Sequence, residues 1–342
     1  MRVMGLLGSA ARVGLELDTG QIRAAVVSGG AKRPILSAVG SVEIPEQAIM
    51  MGVVEEGDMV ASALRELWSK TRIGSRSVVL GMSTPGMLMR SAVFPKVPDD
   101  RLAQAVHLQA GEYFPIPMHQ LVMDFSVLGE TETEEGALAL ELLMVAARRE
   151  QLQKNLDCIR DAGLSCDIID ASPLVLARHL STDATGETVV LADIANGLTS
   201  LVVIQEGLPR FARVLQVSLE SYAEEVGAAL SDVPLDTFGE EEEASAGAEA
   251  WAISFADEIS SSVNYFVGQN EGASVDRLYI GGRGSRVPGL SRFLVEQLEM
   301  PVQRINPVER VTDNRVKGFD PEAGGANYSV AIGLALRGLE GV

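Results

Sequence analysis

Histidine and cysteine are almost missing from this chain. Three histidines and two cysteines in 342 residues are too few and too scattered for a metal-ligand spacing or for a nucleophile with its base. His107, His119 and His179 sit in separate segments without a motif around any of them, and are expected to be structural or surface residues. Cys158 and Cys166 read as reduced thiols, not as a disulfide framework. Basic residues are also short: 28 Lys and Arg stand against 47 Asp and Glu, for a net charge of −19. Without a basic cluster, nucleic acid is not an expected partner, and anionic lipid has no general attraction. No apolar run reaches the roughly 18–20 residues of a membrane span, so no direct membrane insertion is expected. The stretch 1–12 has a short apolar segment broken by glycine and reads as a loose leader instead of a signal peptide. What remains is a cytoplasmic chain that meets a membrane only through a partner.

What is present is the composition of a folded α/β protein, 46% hydrophobic with 34 glycines. The length is too great for one ordinary core, so two lobes are expected. Alternating apolar residues over 13–17, 22–26 and 34–44, with tight turns at 18–21 and 28–30, predict an antiparallel meander. A helix follows over 57–71 and a strand over 77–81. From 84 the style changes to strand, helix, strand, strand, with an abrupt helix stop at Phe114, Pro115, Ile116 and Pro117. That stop is read as a packed corner or as part of a peptide-binding surface. A second meander begins near 187: a strand to Asp193, a turn at 195–197, a strand to 204, a Gly turn at 206–207 and a third strand. It repeats the architecture of the first. The four glutamates at 240–243 read as a solvated loop. Trp251, Phe255, Ile259, Val263 and Phe266 form a core-facing helical stripe.

Two repeated meanders, each with an acid beside a tight turn, suggest two lobes facing across a cleft whose turns can grip phosphates. Asp193 is the candidate functional acid; it either holds Mg²⁺ through water or is a plain turn aspartate. On the first turn, Thr19 and Gly20 offer a hydroxyl and main-chain N–H groups. Glu16 and Asp18 beside them would repel a phosphate unless a metal or base intervenes; Arg23 either compensates them or is a surface strand residue. Gly281, Gly282 and Gly284 follow the strand ending at Ile280 and allow a flat or anionic ligand to approach the backbone.

The order and spacing of several stretches resemble the PilM family of type IV pilus assembly proteins. They include Phe-Pro-Lys-Val-Pro at 94–98, Glu-Tyr-Phe-Pro-Ile-Pro at 112–117 running into 122–125, and Val-Ala-Ala-Arg at 145–148. Further on come Ala-Gly-Leu at 162–164 with Asp170 onward, the glycine-rich stretch 281–290, Ile-Asn-Pro at 305–307, and 328–337. The resemblance implies an α/β, actin/Hsp70-like two-lobed ATPase fold with an inserted FtsA-type strand–helix–strand–strand subdomain. The first lobe is expected over 1–83 with 166–186 and a C-terminal helix at 327–342, the insertion over 84–165, and the second lobe over 187–326. ATP with Mg²⁺ is implied in the cleft, held by Asp18, Thr19, Gly20, Gln21, Asp193, Asn196, Gly197, Gly281, Gly282, Gly284, Ser285 and Arg286. Asp193 is then the possible catalytic residue and the Mg²⁺ site. A groove between the insertion and its lobe is implied to take the short cytoplasmic N-terminal segment of a PilN-like inner-membrane protein. FtsA itself is set aside because no amphipathic helix follows Arg337.

The phosphate side departs from the family pattern. Where Asp, Ile, Gly and small hydroxyl residues are usual, this chain has Glu16, Leu17, Asp18 and Thr19, and Ala195 replaces a usual Gly. An acid stands where a glycine lets the backbone approach a phosphate. The leading expectation is an assembly adaptor. Its rivals are an active ATPase or phosphotransferase of the same superfamily and a nucleotide-free pseudo-ATPase scaffold.

Overall fold

The computed structural model describes residues 11–133, 136–180, 186–235, 246–270, 272–321 and 324–340. Most of the expected leader and the 240–243 glutamates lie outside these residues.

Strands β1 (Arg12–Asp18), β2 (Gln21–Gly30) and β3 (Arg33–Glu43) pair antiparallel in sequence order. The two-residue turn between β1 and β2 demands a left-handed backbone, which Gly20 supplies at φ 73°. A small hairpin, β4 (Ile49–Met50) and β5 (Val53–Val54), leads to α1 (Gly57–Thr71). That helix buries Val60, Leu64, Leu67 and Trp68 against one face of the sheet. Strand β6 (Ser77–Met82) then enters parallel to β1.

The insertion follows as β7 (Leu88–Pro95), α2 (Asp99–Gln109), β8 (Leu121–Glu132) and β9 (Leu138–Arg148). Its strands lie in the order β7-β9-β8. Leu102 and Val106 of α2 pack with Phe94, Phe114, Leu142 and Met144. The corner at 113–117 belongs to this core: Tyr113 stacks on Phe94 at 5.7 Å and Phe114 is buried. It is a packed helix stop, with Pro115 and Pro117 left exposed.

Helix α3 (Arg149–Asp161) and strand β10 (Ser165–Ala171), parallel to β6, bring the chain back to the first sheet, and α4 (Ser172–Val175) leads away. The insertion expected over 84–165 is therefore shorter. Cys158 and Ile159 of α3 share an apolar cluster with Leu64 and Leu67, so α3 is part of the first lobe and the inserted sheet ends at Arg148.

The second lobe has β11 (Thr188–Ile194), β12 (Thr199–Gln205), β13 (Leu208–Leu215), α5 (Leu219–Val226), α6 (Ala246–Gln269), β14 (Arg277–Gly281), α7 (Leu290–Leu298) and β15 (Val302–Arg304). Its sheet order, β13-β12-β11-β14-β15, repeats the β3-β2-β1-β6-β10 order of the first. The repeat read from the sequence is thus a repeat of topology. Glu206 and Gly207, both at positive φ, close the β12–β13 hairpin. Trp251 and Phe255 of the α6 stripe are buried and stacked at 5.7 Å.

The chain returns to the first lobe before the expected boundary at 326. Strand β16 (Asp313–Asn314) pairs parallel with β3. Val308, Val311, Val316 and Phe319 pack on Ala25, Val27 and Leu36. The last helix, α8 (Ser329–Leu339), is buried from 329 to 336. It lies so close to β1 that a Cβ on Gly14 would sit 1.9 Å from the Ala331 carbonyl oxygen. A cluster containing Val79, Leu176, Leu191, Val202 and Leu334 joins the two lobes at their base.

Candidate functional site

The two hairpin turns, 19–20 and 195–198, meet tip to tip. Register places Glu16 opposite Arg23 and Asp18 opposite Gln21, so two acids, an amide and a guanidinium share one face of the β1–β2 ribbon. Arg23 is 2% exposed. Its Nε and Nη2 donate to Glu16 at 2.9 and 3.0 Å, its Nη2 to Asp18 at 2.5 Å, and its Nη1 to Gln21 at 2.7 Å. Burial disfavours the cation, but the Glu16 and Asp18 charges prevail and raise the Arg23 pKa above its ordinary value. The arginine is a buried clamp that compensates both acids, and the surface alternative is set aside.

Asp18 also reaches across the cleft. Its Oδ2 accepts the Asn196 N–H at 2.9 Å and its Oδ1 accepts the Gly197 N–H at 3.0 Å, while its own Thr19 N–H closes on Oδ1 at 2.9 Å. The Asn196 side chain returns a hydrogen bond to the Thr19 carbonyl at 2.8 Å. Gly197 is required here, since a Cβ would lie 2.1 Å from Thr19 Oγ1. The carbonyls of Ala195 and Asn196 accept the first N–H groups of α5, which fixes the second turn to a helix end capped by Ser218.

Asp193 is buried beside this cluster, and its Oδ1 has no hydrogen-bond partner among the described residues. Burial and the neighbouring Glu16 charge push its pKa well above the usual carboxylate range. Strand pairing sets Gly281 directly opposite Asp193. A Cβ on Gly282, at φ 75°, would lie 2.5 Å from the Ile194 carbonyl oxygen, and one on Gly284 would lie 2.3 Å from Ile194 Cγ2. Ser285 is buried and donates to the Gly282 carbonyl at 2.8 Å. Arg286 follows in the same turn, half-buried. The close approach that the glycines permit is thus an approach to β11.

A second concavity, of about 640 Å³, lies between the insertion and the first lobe. Residues 122–126 of β8 line it consecutively, as do Ile169, Asp170 and Ala171 of β10. Side chains alternate along a strand, so consecutive lining residues mean that each strand presents its edge. Both are edge strands of their sheets among the described residues. Met82, Met87, Leu143, Val145, Leu152 and Leu174 make an apolar floor, and Gly207 and Pro209 of the second lobe form an end wall. Arg178 and Arg337 stand at the rim, each 3.5 Å from Asp170, and Arg178 also pairs with Glu340 at 2.9 Å. Burial raises the Asp170 pKa in spite of both arginines. Sequence reading assigned no residue to this groove, but Val122, Met123, Asp124, Phe125, Val145, Ala147, Asp170 and Arg337 all fall in the stretches that carry the family resemblance.

Residues 14–339 match the family model for type IV pilus assembly protein PilM. The chain belongs to this family. A solved PilM–PilN type IV pilus biogenesis complex is similar over 97% of this chain and 100% of its own, at 26% identity and a TM-score of 0.82. MreB5 of Spiroplasma citri, solved bound to AMPPNP, is similar over 94% of each chain at 12% identity and a TM-score of 0.50, which speaks to the fold. The cell division protein FtsA of Bacillus subtilis (strain 168) is 22% identical over 63% of this chain; the match spans 54% of FtsA, about half its length. The fold is actin-like.

The ATP and Mg²⁺ implied by that fold can be tested against the cleft of this PilM-family chain. The Asn196 and Gly197 N–H groups expected to face a phosphate are spent on Asp18. The cavity bordered by Glu16, Asp18, Asp193 and Ala195 holds about 20 Å³, room for one water. The expected phosphate set of Asp18, Thr19, Gly20, Gln21, Asn196 and Gly197, with Mg²⁺ at Asp193, does not fit a magnesium–triphosphate in this arrangement.

Proposed function

We propose that this PilM-family chain is a type IV pilus assembly adaptor whose groove takes the cytoplasmic N-terminal segment of a PilN-like inner-membrane protein. The observation that carries it is the pair of open strand edges, β8 and β10, flanking one apolar floor. An extended segment laid there adds main-chain hydrogen bonds to an edge and seats alternate side chains on the floor. The described residues contain no helix long and apolar enough to cross a membrane, in keeping with a cytoplasmic protein held at the inner membrane through its partner. The similarity to a solved PilM–PilN complex supports the same partner class.

ATP turnover is not carried into this function, because the amides that would orient a phosphate are engaged by Asp18. The test is a titration of the full chain with a soluble peptide of a PilN-like N-terminal segment. Saturable one-to-one binding that competes with labelling of a cysteine placed at Val122 is expected. No binding of that peptide would remove the partner assignment.

A further inference from the structure

The cleft is not merely short of space. It carries its own anion. We infer that the Asp18 carboxylate occupies the phosphate seat of the actin-like cleft, clamped from behind by Arg23, so that the two lobes are latched together without nucleotide.

A carboxylate and a phosphate ask for the same partners, backbone N–H groups converging at a tight turn. The turn at 195–198 offers two, and Asp18 takes one with each of its oxygens. The Asn196 side chain ties the same turn to the Thr19 carbonyl, so three hydrogen bonds cross between the lobes at this point. The first hairpin's tip is also in van der Waals reach of the second lobe, where Leu230 lies 3.4 Å from the position of a Cβ on Gly20. A triphosphate has no passage between turns in contact.

Charge points the same way. Asp18 faces two lobes' worth of groups: Glu16 and Arg23 on its own ribbon, Asp193 on β11, Glu220 at the start of α5, and Arg283 in the glycine-rich turn. Four carboxyl groups therefore meet two guanidiniums, and Arg23 is already committed to two of the four. An incoming polyanion would have to displace Asp18 and leave Arg23 half-paired inside the protein. The buried atoms left without partners here, Asp193 Oδ1, Asn196 Oδ1 and Thr19 Oγ1, are all side-chain oxygens, and none is a backbone N–H of the kind that seats a phosphate. The latch stands independently of what fills the groove.

Two measurements on the full chain test it. In the first, Mg·ATP and inorganic pyrophosphate are titrated separately. The expected result is no saturable binding and no change in melting temperature at about 1 mM, a concentration that would move it several degrees for a micromolar site. In the second, hydrogen exchange is followed at the Asn196 and Gly197 amides in nucleotide-free protein. Both should be slowed at least about a hundredfold relative to an open loop, and Asp18→Ala should speed both by at least about tenfold while leaving the α8 amides unchanged. Saturable nucleotide binding by the wild-type chain would overturn the inference. So would fast exchange at both amides, or exchange indifferent to Asp18→Ala. If that variant fails to fold, the titration and the wild-type exchange decide by themselves.

Discussion

The behaviour of single residues in this protein follows from how completely they are enclosed. Arg23 sits buried among acids, so removing it is worse than removing the whole cluster. Arg23→Met should cost about 3–5 kcal/mol, measured by urea unfolding, because Glu16 and Asp18 are left buried without a cation. Gly14→Ala should cost about 3 kcal/mol or prevent folding, since its methyl would meet the Ala331 carbonyl backbone and neither strand nor helix can retreat. His179 is buried with Nε2 donating to the Ser329 carbonyl at 2.7 Å, and burial lowers its pKa from 6.5 to about 4. The unfolded chain accepts a proton that the native state refuses. The His179 contribution is therefore complete above about pH 6.5 and lost as the pH falls toward 4. A His179→Gln variant should show a flatter loss of stability across that window in pH-dependent melting curves.

At the scale of elements, the groove belongs to two strand edges and a floor drawn from five segments. Ile169 is 42% exposed on β10, so changing it leaves the core untouched. Ile169→Glu should weaken the peptide at least tenfold, about 1.4 kcal/mol, with the melting temperature unchanged within a degree or two. The elements themselves were largely legible in the sequence. Alternation at 13–17 and 22–26, the Thr19–Gly20 turn and the Glu206–Gly207 turn carry their own local signals, and the two meanders repeat. The partner of Asp18 was not legible, because Asn196 lies 178 residues away and no local pattern encodes a meeting of turns. The sequence did show that an acid stood where a glycine is usual and that Arg23 was near enough to answer it. The groove was implied by the family resemblance, but its lining was not legible for the same reason: its walls run from Met82 to Glu340. The place of α3 was misjudged because its amphipathic face says that it packs, but not on which sheet.

As a whole molecule, the chain is two copies of one topology joined at the base by apolar packing and at the tips by the Asp18 hydrogen bonds. The insertion is braced against the second lobe: Ser91 donates to the Arg210 carbonyl at 3.1 Å, and Arg210 pairs with Glu141. Such a body is suited to holding a groove open at a fixed width. The most direct measurement is the affinity of the full chain for the PilN-like N-terminal peptide, taken with and without Mg·ATP. Binding that is equal within about twofold in both conditions, and lost in Ile169→Glu, is the predicted result. Binding that requires ATP, or that survives Ile169→Glu unchanged, would contradict it.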